Sequence, residues 1–219
     1  MHFQLCYSPA MNRQCSSKYR GVFLFLALSV ASTLSFAQDA LDIVRSARGQ
    51  IGITTIYDPA YEVIAFPSGD VPRNRGVCTD VIVRALRQSR QFDLQSEVNS
   101  DILENRGAYP KKFGVISTKP DSSIDHRRVP NLMKYFERRG FGIPISSNQK
   151  GYSPGDILAW SLGGGPLHIG IVSDKKSLLG VPLIIHNIGK GTQEENVLND
   201  YRLIGHYRLP IKLVPRKAA

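Results

Sequence analysis

The sequence predicts an α+β fold in which helices come first and an antiparallel sheet follows. Before about residue 140, apolar residues recur at helical spacing, three or four positions apart. Beyond about residue 150, the apolar residues gather in short runs that are separated by turns rich in Gly, Pro, Asn or Asp. Because helices and strands are segregated along the chain, this order favours α+β over a succession of βαβ units.

Four helices and a terminal sheet are expected from start and stop signals. The helices are expected at 39–50, from Cys78 onwards, across 94–102 with a stop at Gly107, and from Pro130 to Gly140. Thr54–Tyr57 is β-branched and is predicted to be extended. The strands of an antiparallel meander are expected at 157–160, 169–172, 183–186 and 201–204.

The first 37 residues have the pattern of a secretion signal. Three basic residues precede an apolar run at 22–31, and a small-x-small cleavage site ends at Ala37. The run is short for a membrane span, and no second one follows in the sequence. We therefore expect cleavage after Ala37, export to the periplasm, and a single mature domain at 38–219 with no stable membrane span. The alternative is an uncleaved anchor.

The mature chain is basic. Of the 28 Lys and Arg, the signal holds three, which leaves 25 against 18 Asp and Glu and a net charge of +7 rather than +10. A basic exported protein meets anionic polymers, namely cell wall and lipid head groups, although the charge is also compatible with an ordinary solvated surface. The sequence has no dense Lys/Arg block or RNA-binding signature, so we expect no nucleic-acid partner.

One cysteine stands where a polar loop becomes a helix. Cys6 and Cys15 leave with the signal, so Cys78 has no intramolecular partner in a compartment that oxidises thiols. Such a cysteine is either a small core residue or is kept for its reactivity. At the first helical turn, unpaired backbone N–H groups and the helix dipole favour the thiolate. We therefore expect Cys78 to be a nucleophile with a lowered pKa.

A cysteine nucleophile needs a base, and two histidines fall on predicted strands. His168 follows a glycine-rich turn, and His186 lies inside a later strand. An imidazole that faces the helix start would take the thiol proton, and a polar group on the next strand would orient the ring. His186 and Asn187 are both candidates for the orienting group. Since neighbours on a strand point to opposite faces, only one of them can serve.

These residues carry a resemblance to known families. The runs 154–160, 168–172 and 184–187 resemble the strand succession of the papain-like cell-wall cysteine peptidases of the NlpC and CHAP type. Across about 45–209, the chain more closely resembles a bacterial envelope family, domain of unknown function 1287. The segments that carry this second resemblance are Thr54–Tyr57, Gly76–Asp80, Asp125–Asn131 and His186–Gly189.

The resemblance implies a papain-like domain with N-terminal helices, a nucleophile at a helix N-terminus and a C-terminal antiparallel sheet. It implies Cys78 as nucleophile, His168 as general base and His186 as orienting residue, with Asn187 as the alternative. The implied activity is that of a secreted cysteine hydrolase, an amidase or endopeptidase that acts on peptidoglycan or its peptides. Alternatives on the same fold are a non-catalytic module for cell-wall binding or envelope interaction, and a thiol acyltransferase.

Charged residues and a tyrosine surround the expected site. One turn into the helix, Asp80 should stabilise the helix through its dipole. Its charge would oppose thiolate formation unless Arg75 or an imidazolium offsets it. Arg73 and Arg75 border the cysteine, and Tyr57 is expected to line the same cleft. All three are candidates for substrate binding.

Arg127 and Arg128 have two interpretations. They bind a substrate carboxylate in bidentate fashion, as acidic stem peptides would require, or they pair with Asp121, Asp125 or a helix end as a structural staple. Asp156, in a Pro-Gly-Asp turn, is interpreted as a structural carboxylate that ties the loop.

We expect no metal and no cofactor. Cys78, His126, His168 and His186 lack the close pairs, such as Cys-x-x-Cys, that pre-position zinc ligands on one element. No glycine-rich loop follows a strand and opens a helix, so nucleotide binding has no support. The sequence carries no signal for an oligomeric state.

Overall fold

The computed structural model describes residues 38–110, 120–210 and 213. The chain divides into two units, 1–35 and 36–219, and every described residue belongs to the second. The expected secretion signal at 1–37 lies outside the described residues.

Four helices are present in the described part of the chain, as the sequence predicts. They are α1 at 38–48, α2 at Cys78–Arg90, α3 at Leu94–Asn105 and α4 at Val129–Arg138. Pro130 lies in the first turn of α4, where a missing N–H leaves no helical hydrogen bond unmade. None of the described helices is long and apolar enough to span a membrane.

The described strands form two sheets. In the smaller one, β1 (Ile56–Tyr57) pairs in parallel with β2 (Arg75–Gly76). The larger sheet is antiparallel and has five strands in the order β6-β5-β4-β3-β7. Its members are β3 Ile157–Ser161, β4 Leu167–Lys176, β5 Pro182–Asn187, β6 Thr192–Glu195 and β7 Arg202–Tyr207. The fold is therefore α+β.

The predicted meander is right from β3 to β5 but wrong for the last strand. β7 does not extend the sheet beyond β6; it returns to pair with β3 at the opposite edge. β6 was not predicted, because Thr192–Glu195 contains no apolar run. Its strand conformation comes from backbone pairing with β5, which is a tertiary contact that the local pattern does not show.

Helix α2 packs on one face of the larger sheet. Val81, Ile82 and Leu86 of α2 belong to the same buried cluster as Ile169 and Ile171 of β4. A second buried cluster, which includes Trp160, occupies the other face. Burial of each side chain of this size contributes roughly 1.5–3 kcal/mol. This packing holds the start of α2 against β4.

Arg84 of α2 fastens the loop that leads into Cys78. Its buried guanidinium donates to the Asp70 carboxylate at 2.8 Å and to the carbonyls of Val71 and Arg75 at 3.1 and 3.0 Å. Gly76, the last residue of β2, has no room for a side chain, because a Cβ there would lie 2.9 Å from an Asp80 carboxylate oxygen. The approach to the helix is thus tightly packed.

Candidate active site

Cys78 is the first residue of α2, in the position that the sequence predicts. Its side chain is buried, with 4% exposure. The residue before it, Val77, has no side-chain oxygen to cap the helix, and the Asp80 carboxylate accepts the Val77 N–H at 2.7 Å. The sulfur accepts a hydrogen bond from the backbone N–H of Ile169 on β4. Cys78 is thereby held between a helix start and a strand.

The expected lowering of the Cys78 pKa is wrong. Burial raises the pKa of the thiol to about 12, and the Asp80 carboxylate raises it further. Hydrogen bonds from the N–H groups of Ile169 and of the helix start lower the pKa but are outweighed. The helix dipole is a local effect that the sequence reveals, whereas burial is set by tertiary packing. At neutral pH the resting site therefore holds a thiol.

The charge of Asp80 is offset by Arg127, and not by Arg75. The Nε and Nη2 groups of Arg127 donate to the two carboxylate oxygens of Asp80 at 2.9 and 3.0 Å, and both side chains are buried. Arg75 pairs instead with Asp58 at 2.9 Å and with Glu62. The contacts of Arg127 are those of a structural staple, but its partner is Asp80 rather than one of the acidic residues near it in sequence.

His168 and His186 are in direct contact on the neighbouring strands β4 and β5. Nε2 of His168 lies 2.8 Å from Nδ1 of His186, and both side chains are buried. Nε2 of His186 lies 3.2 Å from Oε2 of Glu195 on β6, although the angle is poor for a hydrogen bond. Sequence reasoning missed Glu195 together with its strand. The available signal was the pair of glutamates that follows the turn after β5.

The charge near the histidine pair favours one arrangement of the ring protons. An ionised carboxylate only accepts, so the Glu195 charge favours the tautomer of His186 with its proton on Nε2. In that tautomer Nδ1 of His186 accepts from the Nε2–H of His168, and Nδ1 of His168 carries no proton. Burial lowers the pKa of His168 to about 3, and it also lowers the pKa of His186. Both rings are therefore neutral at pH 7.

The structure brings Cys78 to the backbone beside His168. Among the described contacts, no hydrogen bond joins the sulfur to the imidazole; the sulfur binds the N–H of the next residue, Ile169. Side chains 168 and 169 leave the strand on opposite faces. Ile169 packs with α2, and the His168 ring packs beside Trp160 with ring centroids 5.9 Å apart. The resting thiol and imidazole do not form an ion pair.

Asn187, the alternative orienting residue, makes its hydrogen bonds elsewhere. Its Nδ2 donates to the carbonyl of Gly76 at 2.9 Å, and its Oδ1 accepts the N–H of Gly189 at 3.3 Å. Asn187 therefore ties β5 to the strand that leads into Cys78. Of the two candidates, the structure places His186 against the His168 ring.

A cleft of about 320 Å³ lies over Cys78. Tyr57, Arg127 and Arg128 line it, so three of the candidates for substrate binding share one space with the sulfur. Burial raises the pKa of Tyr57, and the Asp80 charge raises it further, so its hydroxyl keeps its proton. The remaining lining residues are Pro59, Val77, Ile124, Val129, Pro130 and Leu167.

The other candidates lie away from the cleft. Arg73 is exposed, and neither it nor Arg75 is part of the cleft lining. Asp156 is buried and accepts hydrogen bonds from His206 at 2.8 Å and Arg208 at 2.7 Å, contacts that are typical of a structural carboxylate. The Nδ1 atom of His126 is buried without a partner in the described part of the chain. Across those same residues, no group of three or more His, Cys, Asp or Glu side chains could hold a metal ion.

The fold and the site define an α+β protein in which a cysteine at a helix start meets a strand that carries one member of a buried histidine pair. The chain belongs to the family described as domain of unknown function DUF1287, whose model matches residues 44–209, so the predicted family is confirmed. It is similar to the uncharacterized protein YijF of Escherichia coli (strain K12), with 51% identity over 176 residues that cover 80% of this chain and 84% of that protein. No solved structure matches.

Proposed function

We propose that the protein is a papain-like cysteine hydrolase that is exported to the periplasm and cuts an amide bond in peptidoglycan or its peptides. The observation that carries the proposal is the 2.8 Å contact of His168 with His186, on the strand to which the Cys78 sulfur is hydrogen-bonded. The three sequence runs that resemble the NlpC and CHAP peptidases fall on β3, β4 and β5, which supports the same reading.

In the proposed reaction, Nδ1 of His168 accepts the Cys78 proton as the sulfur attacks the carbonyl carbon of the amide. The carbonyl oxygen takes the negative charge and accepts hydrogen bonds from the Cys78 backbone N–H and from the Tyr57 hydroxyl. The C–N bond then breaks, and His168 gives its proton to the leaving amine. A water molecule that is deprotonated by His168 releases the acyl group, and the thiol is restored.

Because the Cys78 thiol and the His168 imidazole are both neutral at rest, the timing of the proton transfer between them is restricted. The pKa of the thiol is raised and that of the His168 imidazole is lowered, so proton transfer before substrate binding is unfavourable. Transfer therefore accompanies attack, when the oxyanion donors hold the developing charge. In the resting structure the His168 ring lies on the face of β4 opposite Ile169 and α2. The proposed reaction therefore requires the backbone at the start of β4 to rearrange so that the ring turns toward the sulfur.

The decisive experiment incubates residues 38–219 with purified cell-wall sacculi and identifies released fragments by mass. We expect fragments from the unmodified protein and none from Cys78→Ala. The thermal midpoint should change little, because alanine occupies the same small buried space. Cys78→Ser is the matched control for loss of the sulfur alone. Fragment release by the Cys78→Ala protein, or no release by the unmodified protein, rules out the proposal.

A second candidate function is a non-catalytic module for cell-wall binding. The observation that favours it is the resting thiol itself, whose pKa is raised and whose sulfur is hydrogen-bonded to a backbone N–H rather than to an imidazole. This candidate predicts that the protein sediments with sacculi without releasing fragments.

A further inference from the structure

The two arginines that line the cleft differ in how their donors are used. Arg127 has a side chain that is 2% exposed, and its Nε and Nη2 groups donate hydrogen bonds to Asp80. Arg128 has a side chain that is 26% exposed, and its one hydrogen bond to the described residues is long, 3.4 Å from Nη1 to an Asp125 oxygen. The planar guanidinium of Arg128 therefore keeps most of its N–H donors for a partner in the cleft.

The positive charge of Arg128 has one partner in the described part of the chain, the Asp125 carboxylate at 3.4 Å. No Asp or Glu is among the described residues that line the cleft. The nearby Asp80 is matched by Arg127. Asp125 is partly engaged by the backbone N–H of Asp121 at 2.7 Å. The rest of the lining is mostly apolar, so water competes less for a guanidinium there than it does on an open surface.

We propose that Arg128 selects substrates that carry a free carboxylate close to the scissile amide, by forming a bidentate pair with that carboxylate. The cleavage part of this inference rests on the proposed function, whereas the binding part does not. The substrate class is an acidic peptide, and the stem peptides of peptidoglycan are one source of such a peptide. Arg127 holds the wall of the cleft in place, and Arg128 binds the carboxylate of the ligand.

The test compares a stem peptide that has free carboxylates with the same peptide after its carboxylates have been converted to amides. Binding of each form to the Cys78→Ala protein is measured by calorimetry, so that cleavage does not interfere. We expect the acidic form to bind roughly 10- to 100-fold more tightly, as a charge-assisted bidentate pair would give. Adding Arg128→Gln should abolish this preference, and Arg128→Lys should restore part of it.

Arg73→Gln is the matched control, because Arg73 is an exposed arginine outside the cleft lining, and it should leave the preference intact. Equal binding of the two peptide forms, binding of neither form, or a preference that survives Arg128→Gln overturns the inference. The comparison of the two peptides needs no Arg128 variant, so a folding defect in one variant does not block the test. Sacculus digestion by the unmodified protein tests the catalytic proposal separately.

Discussion

The buried pair of Asp80 and Arg127 supports the site, and Asp80→Asn tests how much depends on it. Asparagine keeps the size and one acceptor oxygen, but it leaves the Arg127 guanidinium buried without a counter-charge. Removing one partner of a buried ion pair costs about 3–5 kcal/mol. The Asp80 carboxylate also accepts the Val77 N–H at 2.7 Å, and weakening this cap adds up to about 1 kcal/mol. We therefore expect the free energy of unfolding to fall by at least about 3 kcal/mol.

Urea unfolding followed by circular dichroism measures this loss. Arg75→Gln is the control, because Arg75 forms a partly exposed ion pair with Asp58, and such pairs contribute about 0–1 kcal/mol. Alkylation of Cys78 by iodoacetamide gives a second readout. The Asp80 charge raises the pKa of the thiol. Asp80→Asn removes that charge and leaves Arg127 positive, so it should lower the thiol pKa and speed alkylation. A loss below about 1 kcal/mol, or unchanged alkylation, refutes the reasoning.

Two further predictions concern the buried histidines. Glu195→Gln removes the charge that faces Nε2 of His186, so cleavage of sacculi should fall by about fivefold. The ¹⁵N signals of the His186 ring should also no longer favour the Nε2–H tautomer. Unchanged signals contradict this tautomer. Lowering the pH from about 6.5 towards 4 should destabilise the protein. Burial lowers the pKa of His168 to about 3 and that of His126 to about 4. Over this pH range the unfolded chain therefore binds protons that the folded chain does not. Each histidine contributes a loss of about 1.4 kcal/mol per pH unit, measured by urea unfolding at several pH values. His126→Gln should reduce the slope by one such increment, and an unchanged slope contradicts the prediction.

The features that were predicted from sequence are those that short-range chemistry determines. The helix that starts at Cys78 follows from the spacing of its apolar residues and from the polar loop before it. The strands that carry His168 and His186 follow from apolar runs between turns. Each of these patterns is local, and the folded chain keeps the helix or strand that the pattern predicts.

The features that were missed depend on residues that are far apart in sequence. Arg127, the partner of Asp80, lies 47 residues away, and many arginines and lysines compete for that role in a basic chain. The raised pKa of Cys78 comes from burial by β4 and the helices, which outweighs the local dipole that suggested a lowered pKa. Glu195 comes close to His186 through the pairing of β5 with β6, which the local sequence pattern does not predict.

The staple between Asp80 and Arg127 also links the proposed nucleophile to the proposed ligand-binding arginine, which come from separate parts of the chain. Asp80 caps the start of α2, and a bare carboxylate there would make a thiolate at Cys78 still less favourable. Arg127 offsets part of that charge, and its backbone carbonyl accepts a hydrogen bond from the Thr79 hydroxyl at 3.0 Å, which joins the two segments a second time. Arg128, the next residue, is thereby held at the wall of the cleft that Cys78 lines. One buried ion pair thus influences the charge near the sulfur and joins the segment that carries the proposed nucleophile to the segment that carries the proposed anchor for a substrate carboxylate.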